Sequence, residues 1–313
     1  MANLTPNTGN TVTLENAGGA PGNIFIPELW SDEILAEYKR SLVVGNLVTK
    51  MPMTGKKGDT MHIPKPTRGA ASLKDPATTV SIQSTTNDEV KVIVDKHYEY
   101  SRLIEDIVEV QALDSLRKFY TDDAGYALAK QMDDDIHSLG KRLGDGDGTD
   151  YFHSATYRFN DGANGAAETF QAGETAGEFN DKGFRDLIQV LDDNDVAQDD
   201  RVLVIPPSAK NTIMGIDRYQ STDFVNDGGI NTGKIGRLYG IDIYVSTNCP
   251  TIEPGVKAGL LMHKDAFVIA EQMAVRSQTQ YKQEFLSTLF TSDCLYGIQV
   301  LRPEAGVVIA LPA

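Results

Sequence analysis

Residues 233–250 read GKIGRLYGIDIYVSTNCP, and they follow a stretch at 201–215 that reads RVLVIPPSAKNTIMG. The earlier stretch predicts a buried strand over 201–205, which two prolines end, and then a short helix over 208–214. In the later stretch, Leu238–Ser246 alternates apolar and polar side chains, which predicts another strand. The two stretches together predict a strand, a short helix, a glycine-containing loop and a second strand.

The loop before the second strand raises an enzymatic alternative. Residues 228–235, GGINTGKI, have the G-x-x-x-x-G-K spacing of a nucleotide-binding loop. That loop needs a hydroxyl after its lysine to hold Mg²⁺, but Ile235 stands there. The preceding stretch is polar rather than an apolar strand, and Gly236 and Gly240 disfavour the start of a helix. A nucleotide hydrolase therefore stays only as a remote alternative.

The amino-terminal part of the chain predicts an arm followed by a helix. Residues 1–26 are polar, rich in Gly, Asn and Thr, and without periodicity, which is typical of a flexible arm. Pro27 then opens a helical pattern that places Trp30 on an apolar face, and Gly45 is a suitable end for that helix.

Residues 51–100 predict a projecting β-hairpin. Thr60–Pro64 alternates, residues 90–94 are rich in β-branched side chains, and the polar stretch RGAASLKDPA at 68–77 lies between them. A hairpin this long is not stable alone, so it needs a surface to lie on. No such surface is evident within the chain itself.

Residues 103–143 predict helix, with a possible break near Thr121, a suitable cap. One apolar stripe comprises Leu103, Ile107 and Val110, and a second comprises Ala124, Leu128, Met132, Ile136, Leu139 and Leu143. The acidic triplet Asp133–Asp135 occupies consecutive positions, whose side chains point about 100° apart on a helix and do not converge on a metal. We expect these carboxylates to face solvent, and LGDGDGTD at 143–150 to form a turn rather than a calcium loop.

The rest of the chain mixes helix and strand. Residues 150–178 predict loops and small strands, and Asn180 is expected to cap a short amphipathic helix. Further strands are predicted over 258–262 and through most of 273–311. With no repeated βαβ unit, the sequence predicts the α+β class.

Composition excludes several function classes. The net charge of −15 and the absence of a dense basic cluster argue against nucleic-acid binding through a basic face. No apolar run reaches the roughly 18 residues of a membrane helix, and no secretory signal opens the chain. The histidines show no ligand spacing, and Cys249 and Cys294 are expected to be reduced, partly buried thiols. No catalytic set, metal site or cofactor site is predicted.

The stretch 201–250 resembles the axial domain of the major capsid proteins of tailed bacteriophages with the Hong Kong 97-like fold. The positions that carry the resemblance are Gly233, Ile235, Leu238, Gly240, Ile241, Val245, Ser246, Asn248 and Pro250. HKDAFVIA at 263–270 and LYGIQVLRPEAGVVI at 295–309 are similar to two more strands of that family. Each motif is weakly specific, and the order of all of them, over nearly the whole chain, is the stronger signal.

The resemblance implies a domain plan and a function. The plan has an arm and helix at 1–50, an extended loop at 51–100, a peripheral domain with a long spine helix at 101–179, an axial domain at 180–270, and return strands, mainly peripheral, at 271–313. It implies a structural protein, not an enzyme, whose hexamers and pentamers form the icosahedral head of a tailed phage. The shell would be assembled in the bacterial cytoplasm and enclose double-stranded DNA without sequence-specific binding.

The resemblance also implies partners and contact residues. Portal, scaffolding and decoration proteins are expected partners, and no membrane is. The residues expected at contacts between subunits are Trp30, Arg68, Lys74, Asp75, Gly233, Lys234 and Arg237. Substituting Gly233 or Lys234 should alter assembly and not catalysis.

An encapsulin-like compartment shell on the same fold is the nearer alternative, although the polar arm argues against the cargo-binding helix that such proteins tend to begin with. Some capsid relatives carry a scaffolding segment ahead of the arm; only about 26 residues stand there, so no in-chain scaffold is expected. The residues of an isopeptide cross-link cannot be mapped, and no cross-link is predicted.

Overall fold

The computed structural model of the chain describes residues 11–12, 44–53, 58–66, 69, 71–76, 79–80, 82, 87–105, 115–160, 165–216 and 236–313. The predicted helix from Pro27, with Trp30, lies outside these residues, as does the loop 228–235. Gly45, the predicted end of that helix, lies in a 3₁₀ turn at Val44–Asn46.

The described residues form an α+β fold with three helices and fifteen strands. The strands are β1 (Thr11–Val12), β2 (Thr49–Pro52), β3 (Thr60–Pro66), β4 (Asn87–Ile93), β5 (Lys96–Glu105), β6 (Thr156–Phe159), β7 (Ala167–Thr169), β8 (Arg201–Ile205), β9 (Arg237–Leu238), β10 (Ile241–Val245), β11 (Thr251–Glu253), β12 (Val256–His263), β13 (Phe267–Lys282), β14 (Ser287–Val300) and β15 (Gly306–Pro312). The helices are α1 (Ser115–Ser138), α2 (Asp181–Asp193) and α3 (Pro207–Met214).

The largest sheet has eight strands, in the order β7-β6-β15-β12-β8-β10-β9, with β11 paired to β12. Its centre is apolar, since every residue of β8 and nearly every residue of β12 and β15 is buried. The side chain of Asn180 caps α2 by accepting a hydrogen bond from the Gly183 amide at 2.7 Å, and three apolar side chains of that helix face the core. The predicted strand at 201–205, the helix after it and the Asn180 cap are confirmed.

A second sheet has five strands, in the order β1-β5-β14-β13-β2. The long strands β13 and β14 form an antiparallel hairpin, and β5 pairs with β14 over ten residues, from Lys96 opposite Tyr296 to Glu105 opposite Ser287. The sequence division at residue 270 falls inside β13, and β15 belongs to the eight-stranded sheet rather than to this one. The third sheet contains only β3 and β4.

The helix prediction at 103–143 is partly wrong. Leu103 lies in β5, because its segment finds a long partner in β14, and that pairing outweighs its helical apolar spacing. Helix α1 begins at Ser115 and continues through Thr121, so the predicted break does not occur. The second stripe is confirmed: of its six members only Met132 is more than slightly exposed. The turn predicted at 143–150 is also confirmed.

The prediction that Asp133 faces solvent is wrong, because its side chain is only 2% exposed. One carboxylate oxygen accepts hydrogen bonds from the backbone amides of Val44 at 2.8 Å and Gly45 at 3.2 Å. The other accepts from the side-chain amide of Asn248, after β10, at 3.0 Å. Asp133 therefore joins α1 both to the segment before β2 and to the loop that leaves the eight-stranded sheet.

Asp135 is also buried and points toward the five-stranded sheet. Its carboxylate accepts a hydrogen bond from the Tyr296 hydroxyl on β14 at 2.9 Å and lies 3.4 Å from the Lys96 ammonium at the start of β5. Burial, and next the nearby Asp135 charge, raise the pKa of Tyr296, so this hydroxyl stays a donor. The divergence of the two carboxylates is confirmed, but neither faces solvent: Asp133 reaches the 3₁₀ turn and the loop after β10, and Asp135 reaches the five-stranded sheet.

Replacing Asp133 with Asn tests this arrangement. The amide nitrogen of Asn cannot accept, so at least one buried donor from Val44 or Asn248 loses its partner. We expect Asp133→Asn to lower the free energy of unfolding by about 2–3 kcal/mol. Urea denaturation, followed by circular dichroism, measures this loss.

The control is Asp193→Asn, at an exposed carboxylate at the end of α2, which we expect to change stability by about 0.5 kcal/mol or less. Equal losses in the two variants would show that the buried position of Asp133 has no special importance.

Candidate assembly surfaces

The hairpin predicted within 51–100 is confirmed where the structure describes it. Strands β3 and β4 pair antiparallel over seven residue pairs, from Thr60 opposite Ile93 to Pro66 opposite Asn87. Neither strand pairs with any other described strand. Pro64 and Pro66 have no amide hydrogen, which suits β3 to an unpaired edge.

The distal part of this hairpin exposes apolar side chains. Leu73 is 96% exposed and Ile82 is 94% exposed, and Val80 is also largely exposed. The predicted contact residues Lys74 and Asp75 lie beside Leu73 and are exposed as well. Arg68 lies outside the described residues. Several exposed aliphatic side chains in one segment indicate a binding surface rather than ordinary solvated loop.

The root of the hairpin is, by contrast, tightly packed. A small apolar cluster joins it to the five-stranded sheet, and its buried members are Met53, Val92, Val94, Val268 and Ala270. Strand β4 crosses β14 at Gly297, where an added Cβ would lie 2.3 Å from the carbonyl oxygen of Ile93. Only glycine permits this approach, so the absence of a side chain at Gly297 sets the distance between the root of the hairpin and β14.

Gly297→Ala should therefore displace the hairpin. Its methyl group collides with backbone at Ile93, which cannot rotate away as a flexible side chain would. We expect a loss of about 1–3 kcal/mol in unfolding free energy and faster proteolysis within 58–93. Urea denaturation and limited proteolysis with mass mapping measure the two effects.

Gly125→Ala is the control, since Gly125 lies in α1 with no atom within 4 Å of the added Cβ. Alanine there should stabilise the protein by about 0.5–1 kcal/mol. Unchanged stability and proteolysis in Gly297→Ala would contradict the role given to Gly297.

The tip of the eight-stranded sheet is a hairpin, not the single strand predicted at Leu238–Ser246. Tyr239 and Gly240 both have positive φ, 49° and 83°, and make a tight turn between β9 and β10. The predicted contact residue Arg237 lies on β9 and forms an exposed ion pair with Asp242 at 2.9 Å. Gly233 and Lys234 lie outside the described residues.

The sequence reasoning missed a third exposed surface, the distal part of the β13–β14 hairpin. Four large apolar side chains are exposed there, namely Val275, Tyr281, Phe285 and Leu286. Phe285 and Leu286 lie in the turn that joins the strands, and Leu286 has a positive φ of 44°. Two adjacent large apolar residues in a polar turn were the available signal.

An ionic clamp lies across this same hairpin. The Arg276 guanidinium donates two hydrogen bonds to the Asp293 carboxylate, at 2.8 and 2.9 Å, and the His97 ring lies 3.1 Å from it. These contacts, that from Arg276 foremost, lower the pKa of Asp293 to about 2. Asp293 is buried and Arg276 is half exposed, so this clamp lies at the surface of the sheet. The ion pair holds β14 against β13.

The ion pair of Asp293 with Arg276 predicts that the folded state loses stability in acid. Because the pKa of Asp293 is lower in the folded state than in the unfolded state, its contribution is complete above about pH 4 and is lost as pH falls toward 2. The Asp293→Asn variant lacks this component, so its stability should fall less steeply over that range than that of the wild type. Thermal unfolding at pH steps of 0.5 measures the slopes.

Asp242→Asn, which removes the exposed partner of Arg237, is the control and should keep the wild-type slope. The assignment to Asp293 would be wrong if Asp293→Asn kept that slope as well.

Other kinds of site are not found in the described part of the chain. No group of three or more His, Cys, Asp or Glu side chains there could hold a metal. Both cysteines are free and buried, and burial raises the pKa of the Cys249 thiol to about 12. Among the described helices, none is long and apolar enough to cross a membrane.

Comparison with known proteins places this architecture. A family model described as phage capsid protein matches residues 47–311. A solved structure of Mycobacterium phage Che8 is 24% identical, covers 92% of this chain and 97% of its own, and has a TM-score of 0.71. The capsid structure of cyanophage P-SCSP1u is 18% identical with a TM-score of 0.69, covering 100% of this chain and 99% of its own.

A third solved structure, the asymmetric unit of the mature capsid of bacteriophage PhiM1, is 13% identical with a TM-score of 0.68. It covers 96% of this chain and 97% of its own. No curated protein sequence matches the chain. The fold is the Hong Kong 97-like fold of phage capsid proteins, and the resemblance seen in the sequence is confirmed.

Proposed function

The chain belongs to the phage capsid protein family, and we propose that it builds the head shell as hexamers and pentamers of itself. It is a major capsid protein, a structural component of the virion. We infer that its function resides in contacts between copies rather than in catalysis.

The observation that carries this proposal is the contrast within the β3–β4 hairpin. Its root is packed against the five-stranded sheet, whereas Leu73, Val80 and Ile82 at its far end remain exposed in the single chain. Fully burying each aliphatic side chain would stabilise an assembly by about 1.5–3 kcal/mol. A neighbouring subunit supplies the surface that these side chains need.

The two main sheets support a domain plan close to the one that the resemblance implies. The arm and helix at 1–50 and the extended loop at 51–100 precede a peripheral domain that includes α1 and the five-stranded sheet. We place the eight-stranded sheet in the axial domain at 180–270. This domain then also includes residues 306–312 and the small strands within 156–169. The β9–β10 turn, next to Arg237, then lies at the end of the axial domain that faces other subunits.

The enclosed genome and the partners follow from the same proposal. A net charge of −15 suits a wall that surrounds double-stranded DNA without gripping it. Portal and scaffolding proteins, and in some phages decoration proteins, are the expected partners, and assembly takes place in the bacterial cytoplasm. Trp30, Arg68, Lys74, Asp75, Gly233, Lys234 and Arg237 remain the predicted contact residues.

The double variant Leu73→Asp/Ile82→Asp tests the role of the hairpin tip. Both side chains are almost fully exposed in the single chain, so we expect its thermal stability to change little. Burying two carboxylates in a contact between subunits is unfavourable, so assembly into shells should fall at least about tenfold. Light scattering and negative-stain microscopy of the purified chain measure particle formation.

Ala172→Asp is the matched control, because it adds a carboxylate at an exposed position remote from the hairpin in sequence. It should assemble as the wild type does. Normal shells from the double variant would refute the proposed contact. Particles isolated from cells that enclose enzyme cargo instead of DNA would point to a compartment shell.

A further inference from the structure

The charged residues that line one hollow in this acidic protein are mostly cations. It has a volume of about 410 Å³ and lies between the β4–β5 turn, the 3₁₀ helix Leu139–Arg142 that continues α1, and β14. Its charged lining residues are Lys91, Lys96, Lys141, Arg142 and Asp95. Four cations against one carboxylate is the reverse of the balance in the whole chain, where acidic residues outnumber basic ones by 44 to 29.

Two of these cations make only uncharged contacts within the part of the chain that the structure describes. The Lys141 ammonium donates to the backbone carbonyl of Thr149 at 3.2 Å and lies over the Tyr151 ring. The Arg142 guanidinium donates one hydrogen bond to the side-chain carbonyl of Gln299 at 3.1 Å. Since a guanidinium has five N–H donors, Arg142 keeps most of its hydrogen-bonding capacity for a ligand.

The loop that follows Arg142 restricts the position of its side chain. Gly148, at φ +91°, lies so close that an added Cβ would be 2.7 Å from Nε of Arg142. The Gly148 amide in turn donates to the Lys141 carbonyl at 3.1 Å, which folds the loop back onto the 3₁₀ helix. The exposed Arg142 side chain therefore contacts both this loop and Gln299 on β14.

A purely local role does not account for the whole set. Lys141 and Arg142 follow α1, and basic side chains at the carboxyl end of a helix interact favourably with the negative end of its dipole. That role requires neither Lys91 nor Lys96, which come from β4 and β5 and converge on the same hollow. These two have carboxylate partners, Glu89 at 2.9 Å and Asp135 at 3.4 Å, which offset most of their charge, so Lys141 and Arg142 are the main anion-binding groups of the hollow.

We propose that this hollow binds a phosphate group. With the carboxylates of Glu89 and Asp135 included, the charges at the hollow sum to +1, and Lys141 and Arg142 carry this positive charge. A phosphate group offers these two side chains several tetrahedral oxygens, whereas a carboxylate offers two. Arg142 supplies a planar fork for two phosphate oxygens, and Lys141 supplies a point charge beside it. The phosphate is either a free anion or part of a nucleic-acid backbone, and both present the same oxygens to the site.

Calorimetric titration of the purified full chain with sodium pyrophosphate tests this site, at an ionic strength held constant with sodium chloride. The wild type should bind, and Lys141→Gln/Arg142→Gln should bind at least about tenfold more weakly. Arg142→Lys keeps the charge but loses the fork, so its affinity should be intermediate. Lys182→Gln/Arg185→Gln, which removes two exposed cations of α2, is the control and should bind as the wild type does.

Competition identifies the source of the phosphate. A short DNA duplex that displaces pyrophosphate from the wild type assigns the site to a phosphodiester backbone. A duplex that does not compete assigns the site to free phosphate. Binding no stronger than that of chloride would overturn the proposal. So would tighter binding of a hexaglutamate peptide, which would indicate an acidic protein segment, or equal weakening in the α2 control. Binding is read without shell formation, so this result is independent of the assembly test.

Discussion

The position of α1 between the two main sheets depends on the buried carboxylate of Asp133. Removing a carboxylate from water is costly, so such a group is retained in a core only when hydrogen bonds satisfy both of its oxygens. Asp133 meets this condition with two backbone amides near Val44 and the side chain of Asn248. The segment before β2, the helix and the loop after β10 must therefore be in place together, because the loss of any one leaves a charge buried without its partners.

The projecting hairpin depends on a second constraint, the absence of a side chain at Gly297. Apolar contacts alone would hold β4 over β14 at many distances, but the backbone approach at Gly297 permits one close crossing. The root of the hairpin is fixed against the five-stranded sheet, which sets the direction in which the hairpin projects. Leu73 and Ile82 at its far end are exposed and available to another molecule. A fixed root and an exposed tip suit a subunit that must contact its neighbours in a repeated geometry.

The sequence predicts the elements whose patterns are local and fails where the partner is distant. The Asn180 cap, the strand at 201–205 and the buried stripe of α1 follow from spacing within a few residues, and the structure confirms them. Leu103 was placed in a helix because nothing nearby reveals that β14, almost 200 residues later, pairs with it. Of the candidate surfaces, the contacts at Lys74, Asp75 and Arg237 are predictions that the family resemblance implies. Phe285 and Leu286 are missed because their exposure depends on how the β13–β14 hairpin leaves the sheet.

The same distance effect explains why Asp133–Asp135 was misread as a solvated face. Consecutive acidic residues on a helix face water unless polar partners arrive from elsewhere. Here the partners are distant in sequence: Asn248, in the loop after β10, for Asp133, and Tyr296, on β14, for Asp135. Hydrogen bonds are directional, so these partners fix both the rotation and the axial position of α1, whereas an apolar stripe alone tolerates small sliding movements. The helix then continues into the 3₁₀ turn that carries Lys141 and Arg142, so the carboxylate anchors also set where those two cations lie.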